Sequence, residues 1–375
     1  MNFRQDFDKR QVQRLKSLDY QEHQIGQSII VFDEHALIEQ QFPRIVLLST
    51  CEPGEEAGIE AIREAFYALF FRTTRLSFGD AGHFVGTKPE LQEALATFRD
   101  YGCIPVLLSP AQSVSLDAYL SYCLRTQTIN VVSVDDRPDL GEHHDLCGED
   151  NWLTHLVAYT PNHLFSYSLI GYQTYLSNPE HLDVLQNFHF DLFRLGELRK
   201  DFEMAEPLLR NADLFSFDLS AVRVSDAASS FRTGPNGLYA EEACQLCRYA
   251  GISNQTSLAV FSGWNALGVD AHTASLIAQM IWVFADGVAS RVADGKIGNP
   301  GDYLIYKVST AQVDDELVFY KNNRNGRWWM NVPSHTKSHG KPTRYHLVPC
   351  NYGDYQQALK GEIPETWWNT YQKLS

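Results

Sequence analysis

The sequence predicts an α/β fold: a three-layer α/β/α domain with a mainly parallel sheet over residues 1–300, and a small β-rich, aromatic appendage over 301–375 packed on it. Three observations predict it. Short runs rich in aliphatic and β-branched residues recur along the chain, and they are nearly continuous rather than alternating, as in strands covered on both faces. Segments of helical spacing separate them, which is the rhythm of a doubly wound sheet. Beyond residue 300 that rhythm gives way to closely spaced strand-like runs, a turn and many aromatic residues.

In chain order, the candidate strands are 45–49 (IVLLS), 104–109 (IPVLLS), 128–134 (TINVVSV), 165–171 (FSYSLIG), 214–219 (LFSFDL) and 257–262 (SLAVFS). The candidate helices are 56–71, 88–101, 115–125, 192–211, 240–250 and 270–292. In the appendage, 302–310, 316–320 and 327–332 read as strands, with 322–326 as a turn. Residues 334–343 are polar, and the end of the chain holds Trp328, Trp329, Tyr345, Tyr352, Tyr355, Trp367, Trp368 and Tyr371.

A chain of 375 residues with 44% hydrophobic content can bury a large core. The formal net charge of -15 argues against a nucleic-acid backbone or an anionic membrane as partner. The polar start, MNFRQDFDKRQVQRL, carries no secretory pattern, and the apolar stretch 273–289 is interrupted by Gln279 and Asp286. No membrane insertion is expected. Seven scattered cysteines suit reduced thiols and a cytoplasmic location. Cys244 and Cys247 form a CxxC, but it lies inside a helical pattern with no second pair, which argues against zinc. His143-His144 and the pair His335 and His339 lie in polar loop sequence and read as solvated.

In open parallel sheets, ligands bind beyond the carboxyl ends of the strands. The polar residues there are Ser109 to Ser113 after the second strand, Asp135, Asp136, Arg137 and Asp139 after the third, Asp218 to Ser220 at the fifth, and Gly263, Trp264 and Asn265 after the sixth. A carboxylate inside an apolar strand is costly without donors or a cation. Asp135, Asp139 and Asp218 converging on one edge therefore suggest a shared site, and the alternative is that each caps a helix or turn.

Several segments, in order, resemble the arginase, agmatinase and formiminoglutamase (ureohydrolase) superfamily across roughly residues 40–295, closest to its formiminoglutamase branch. EPGEEAGIEAIREAFY looks like the family's early loop and helix, and LSFGD its "LDLGD". IPVLLSPAQS stands at "iPivLGGGHd", VSVDDRPDL at "inFDAHxDl", YSLIGYQTY at "lGvq", SFDLSAVRV at "SfDiDvlDP" and PNGLYAEEACQLCR at "pgGLs–ea–ll". The resemblance implies an arginase-like fold and an oligomer. It also implies a pair of manganese ions, held by His and Asp, that activate a hydroxide against a guanidinium or amidine carbon.

Carried over by position, the ligand set is eroded. Gln112 stands for the first His, Arg137 for the second and Ser220 for an Asp, while Asp135, Asp139 and Asp218 persist. Arg223 replaces a further carboxylate, and the Glu expected two residues before Asn-Pro is missing around Trp264 and Asn265. Ser113, Arg223, Trp264 and Asn265 are the candidate ligand-pocket residues. A guanidinium offers a cation no lone pair but forks onto carboxylates. Arg137 is therefore expected to bridge Asp135 and Asp218 in place of metal charge, the alternative being that it points to solvent.

No cofactor is expected, and the alternative is one Mg²⁺, Mn²⁺ or Ca²⁺ on Asp135, Asp139 and Asp218 with the Gln112 carbonyl. The expected function is a catalytically inactive arginase-fold protein acting by interaction or regulation, with a protein partner at the aromatic C-terminal segment. The alternatives are a metal-dependent hydrolase of linear amidines or guanidino compounds, and a non-hydrolytic binder of a guanidino or amino-acid ligand.

Overall fold

A computed structural model describes residues 6–32, 42–72, 76–142, 146–295, 301–310, 313, 316–333 and 345–374. His143, His144, His335, His339 and the polar run 334–343 lie outside them. The main sheet has ten strands: β1 (Phe7–Asp8), β2 (Ile30–Val31), β3 (Ile45–Ser49), β4 (Phe78–Phe84), β5 (Ile104–Leu108), β6 (Ile129–Val134), β7 (Leu164–Tyr172), β8 (Asp191–Arg194), β9 (Leu214–Asp218) and β10 (Leu258–Ser262). Their order is β1-β4-β3-β5-β10-β9-β6-β7-β8, with β2 beside β4. All neighbours are parallel except β1 and β4. The chain passes from β5 to β6 before β9 and β10 fill the space between them, so the carboxyl ends of β5, β10, β9 and β6 lie side by side.

The apolar runs form strands because both faces of the sheet are covered. β3, β5, β9 and β10 are buried along their whole length. Alternation along a strand sends successive side chains to opposite faces. Ile45 and Leu47 enter one core, packed with Ile59, Ile62 and Phe66 of helix α1 (Glu56–Tyr67). Val46 and Leu48 enter the other, with Leu91, Leu95 and Phe98 of α2 (Lys88–Asp100) and Tyr119 and Tyr122 of α3 (Val114–Cys123). Helices α4 (Ala240–Ile252) and α5 (Ala271–Ala289) complete the first layer. The Asp270 side chain caps α5 by accepting from the amides of His272 and Thr273. No helix among the described residues is long and apolar enough to cross a membrane.

Two of the stretches that differ from the sequence reading have a plain physical reason. The expected helix 192–211 is instead the edge strand β8 followed by short helices Leu195–Leu198 and Ala205–Arg210. Pro207 sits in the first turn of the second helix, where proline is tolerated; one continuous helix would put its ring against the preceding turn. Strand β4 was not expected, because its FGDAGHF carries two glycines and an Asp. Both glycines are required: a side chain at Gly79 would meet Pro43 at 2.5 Å, and Gly82 has φ +95° with the Asp8 carbonyl 2.4 Å from any Cβ.

The appendage is a four-stranded antiparallel sheet: β11 (Tyr303–Val308), β12 (Leu317–Asn322), β13 (Trp328–Pro333) and β14 (Tyr345–Cys350). Helices α6 (Tyr352–Leu359) and α7 (Glu365–Leu374) follow it. β14 and both helices were not expected. The aromatic residues largely build the appendage's own core: Trp328 and Trp367 are buried in it, and Trp328 stacks on Tyr355. Arg210 Nη2 ties it to the main domain by donating to the Trp328 and Cys350 carbonyls at 3.0 and 2.9 Å.

Candidate functional site

The carboxyl ends of the four central strands bring together five of the residues singled out in sequence. Asp135 follows β6 and is buried. Its Oδ2 accepts from Gln112 Nε2 at 2.7 Å, and its Oδ1 accepts from Ser220 Oγ at 3.0 Å and from the Asp136 amide at 2.6 Å. Asp218 ends β9, where its Oδ1 accepts from the Ser220 amide at 2.8 Å. Asp139 accepts from Trp152 Nε1 at 3.0 Å. Gly263, after β10, has φ +85°, and a Cβ there would lie 2.3 Å from Asp218 Oδ1. Only glycine lets this strand end close over the cluster.

The cation at the centre is Arg232, which sequence reasoning missed. Its Nη2 donates to Asp135 Oδ1 at 3.2 Å and its Nη1 to Asp139 Oδ1 at 3.0 Å, while its Nε stands 3.7 Å from Asp136 Oδ1. The loop carrying it is pinned to the end of β10: the Phe231 amide donates to the Gly263 carbonyl at 2.8 Å, and Ser230 bridges to Trp264. Arg137 does not bridge Asp135 and Asp218. It forks instead onto its neighbour Asp136, with Nε at 2.9 Å and Nη2 at 3.1 Å, while Arg232 pairs with Asp135 and Asp139. No sequence spacing announced Arg232; the only signal was the need for a cation near so many buried acids.

The electrostatics follow from burial and crowding. Burial, then the charges of Asp139 and Asp218, push Asp135 well above the ordinary carboxylate range, against the opposing pull of Arg232. Burial pushes Asp139 up to about 7, although Arg232 and the Trp152 N–H act the other way. Asp218 is likewise raised by burial. Burial disfavours the Arg232 cation, but Asp135, Asp139, Asp218 and Asp136 outweigh it and hold the guanidinium charged.

The other expected pocket residues scatter. Arg223 pairs with Asp226 at 2.8 Å and lies over the Tyr239 ring, so it serves its own turn and not the cluster. Trp264 is buried in the core against Gly58, and Asn265 is exposed in the following loop. The amides of Ser113 and Gln112 donate to Glu149 at 3.3 and 2.7 Å, a second missed residue, which places a carboxylate at the start of α3. Ser113 also lines a cavity of about 240 Å³ that has Cys51 and Asp117 in its wall.

This donor set does not fit a two-manganese centre. Arg232 already sets a positive charge within hydrogen-bond distance of both Asp135 and Asp139, and a pair of metal cations held by the same oxygens would be repelled by it. Gln112 turns its amide N–H to Asp135, which leaves Oε1 as an isolated neutral acceptor. Among the described residues, no group of three or more His, Cys, Asp or Glu side chains is placed to hold a metal ion.

The fold itself has known counterparts. No family model and no curated protein matches the sequence. Among solved structures, the chain is similar to Trypanosoma cruzi formiminoglutamase with Mn²⁺, at 18% identity and a TM-score of 0.59, covering 67% of this chain and 95% of that one. It is similar to Bacillus subtilis formimidoylglutamase at 14% identity and a TM-score of 0.61, covering 74% and 96%. It also resembles Streptomyces clavuligerus proclavaminate amidino hydrolase at 16% identity and a TM-score of 0.56, covering 66% and 92%. At these identities the likeness establishes the fold alone, one that this chain shares with those formiminoglutamase and amidino hydrolase structures.

Proposed function

We propose that this arginase-fold chain is a pseudoenzyme at its carboxylate cluster, acting by interaction or regulation rather than by two-manganese hydrolysis. The observation that carries the reading is the Arg232 fork across Asp135 and Asp139, which sets a fixed, proton-bearing cation against the carboxylates. A guanidinium cannot lose its proton there and cannot polarise a bound water as a metal does. The test is bulk metal analysis of the purified protein, with release of urea or formamide followed from arginine, agmatine and formiminoglutamate. Neither stoichiometric manganese nor turnover is expected, and finding both together overturns the reading.

The same observation favours a second reading, a non-hydrolytic guanidino binder, since the cluster already seats one guanidinium. In that case the three compounds raise the thermal midpoint of an Arg232→Ala variant more than that of the wild type, because binding to the native state stabilises it. A homo-oligomer, a cytoplasmic location and a partner at the appendage belong to the same proposal. Among the described residues of the appendage, the aromatic side chains exposed for such a partner are Trp368 and Tyr352.

A further inference from the structure

The carboxylate cluster leaves the other half of the same sheet edge unused. There β3 runs into Thr50, Cys51 and Glu52, and β4 carries His83 next to its last residue. Two adjoining cavities, of about 240 and about 710 Å³, open at this point, and both have Cys51, Glu52 and Lys88 in their walls. His83 lines the larger.

Cys51 Sγ lies 3.9 Å from His83 Nε2, and His83 Nδ1 lies 3.3 Å from Ser49 Oγ. Ser49 Oγ already accepts from Arg63 Nη1 at 3.0 Å, and its own hydroxyl is directed at the Gly82 carbonyl, 3.5 Å away. With the proton on Nδ1 and Ser49 Oγ as its acceptor, the Nε2 lone pair is turned toward the thiol. Burial and the Arg63 charge hold His83 below its ordinary pKa, so the ring is neutral and able to accept a proton.

The cleft is acidic. Glu52, Glu55, Glu56 and Asp117 face one lysine, Lys88, while Asp8 and Arg10 pair with each other through an Nε contact at 3.0 Å. Burial, followed by Glu56, Glu55 and Glu52, pushes the Cys51 thiol up to about 12. The free cleft therefore holds a resting thiol. The carboxylates that suppress its ionisation also attract a cation, and a bound cation supplies the positive charge the thiolate lacks.

We propose that Cys51 and His83 form a nucleophile–base pair for a small organic cation bearing an electrophilic carbon. As the thiol attacks, its proton passes to His83 Nε2, a bond forms between Sγ and the carbon, and the leaving group departs with its bonding pair. The inference is independent of how the carboxylate cluster is read.

The test alkylates the full chain with 2-chloroacetamidine, a cation, and with 2-chloroacetamide, its neutral isostere; in both, the S–C bond forms as chloride leaves. Peptide mass mapping follows Cys51, with the half-buried Cys244 of α4 as internal reference. The cation-to-neutral rate ratio at Cys51 should exceed that at Cys244 by about tenfold or more, the gain expected of a focusing acidic cleft. Replacing the exposed Glu52 and Glu56 (E52Q with E56Q) should return the ratio to the Cys244 value. His83→Gln should slow both reagents at Cys51 by about tenfold or more and leave Cys244 unchanged. Equal ratios at the two cysteines, or an unchanged ratio in the Glu52/Glu56 variant, overturn the proposal even if His83→Gln fails to fold. Unchanged labelling in a folded His83→Gln protein also overturns it.

Discussion

Arg63 and Arg232 each set a guanidinium on buried acid of the same sheet, with opposite stoichiometry. Arg63 meets one acid. Its Nε and Nη2 fork onto Asp80 at 2.8 and 3.1 Å, both side chains are 0% exposed, and Tyr67, Gln11, Ser49 and the Gly82 carbonyl take up the remaining donors and acceptors. Arg232 meets several acids at once, is 16% exposed, and its Nε makes no hydrogen bond. The first assembly is balanced in charge and in hydrogen bonds, as a structural brace must be. The second carries surplus acid, which protein interiors accept only by raising the carboxyl pKa values, and such surplus is characteristic of sites.

The largest effect expected from this contrast is on stability. Arg63→Met leaves Asp80 buried without its ion-pair partner among the described residues, and should cost about 3–5 kcal/mol. Arg232→Met removes a cation from carboxyls already poised to take up protons, so neutralisation limits the damage to about 2 kcal/mol. Urea unfolding of both variants at neutral pH checks the ordering. Equal losses would mean that the Arg232 cluster is a brace like the first.

A smaller effect sharpens the comparison through pH. Asp139 holds its proton up to about 7 in the folded chain, whereas an unfolded Asp loses it near 4. Between those values the folded state binds more protons, so this contribution to stability is full below about pH 4 and is lost as the pH rises through about 7. Asp139→Asn should therefore flatten the fall of unfolding free energy over that window by about 1 kcal/mol per pH unit. A variant whose slope matches the wild type would show that Asp139 is ionised throughout.

The two assemblies also differ in how far they were legible in sequence. Strands β3, β5, β9 and β10 were readable because burial on both faces makes them continuous apolar runs. β4, which carries Asp80 and His83, was not, since close approaches to Pro43 and Asp8 demand its glycines. The stretch 192–211 misled because its leucines imitate helical spacing while β8 pairs along β7. Asp135, Asp139, Asp218, Gln112 and Ser220 were legible through their order along the chain. Arg232 was not, because a contact between Phe231 and Gly263, remote in sequence, delivers it. Arg137 drew attention by its position in the motif, but adjacency to Asp136 decides where its side chain goes.

The smallest expected effect tests that last point. Arg137 is 34% exposed, and its fork onto Asp136 is therefore screened by solvent and salt. Arg232 Nε stands 3.7 Å from the same Asp136 oxygen and partly compensates if Arg137 is lost. Arg137→Ala should cost less than about 1 kcal/mol and fade further at high salt, as exposed pairs do. It should leave the Asp139-dependent pH slope in place, because Arg137 makes no ion pair with Asp139 among the described residues. If the loss instead equals that of Arg232→Met, or the slope changes, charge at the cluster is shared between the two arginines. The contrast with the one-to-one Arg63 pair would then be one of two cations against surplus acid, not one.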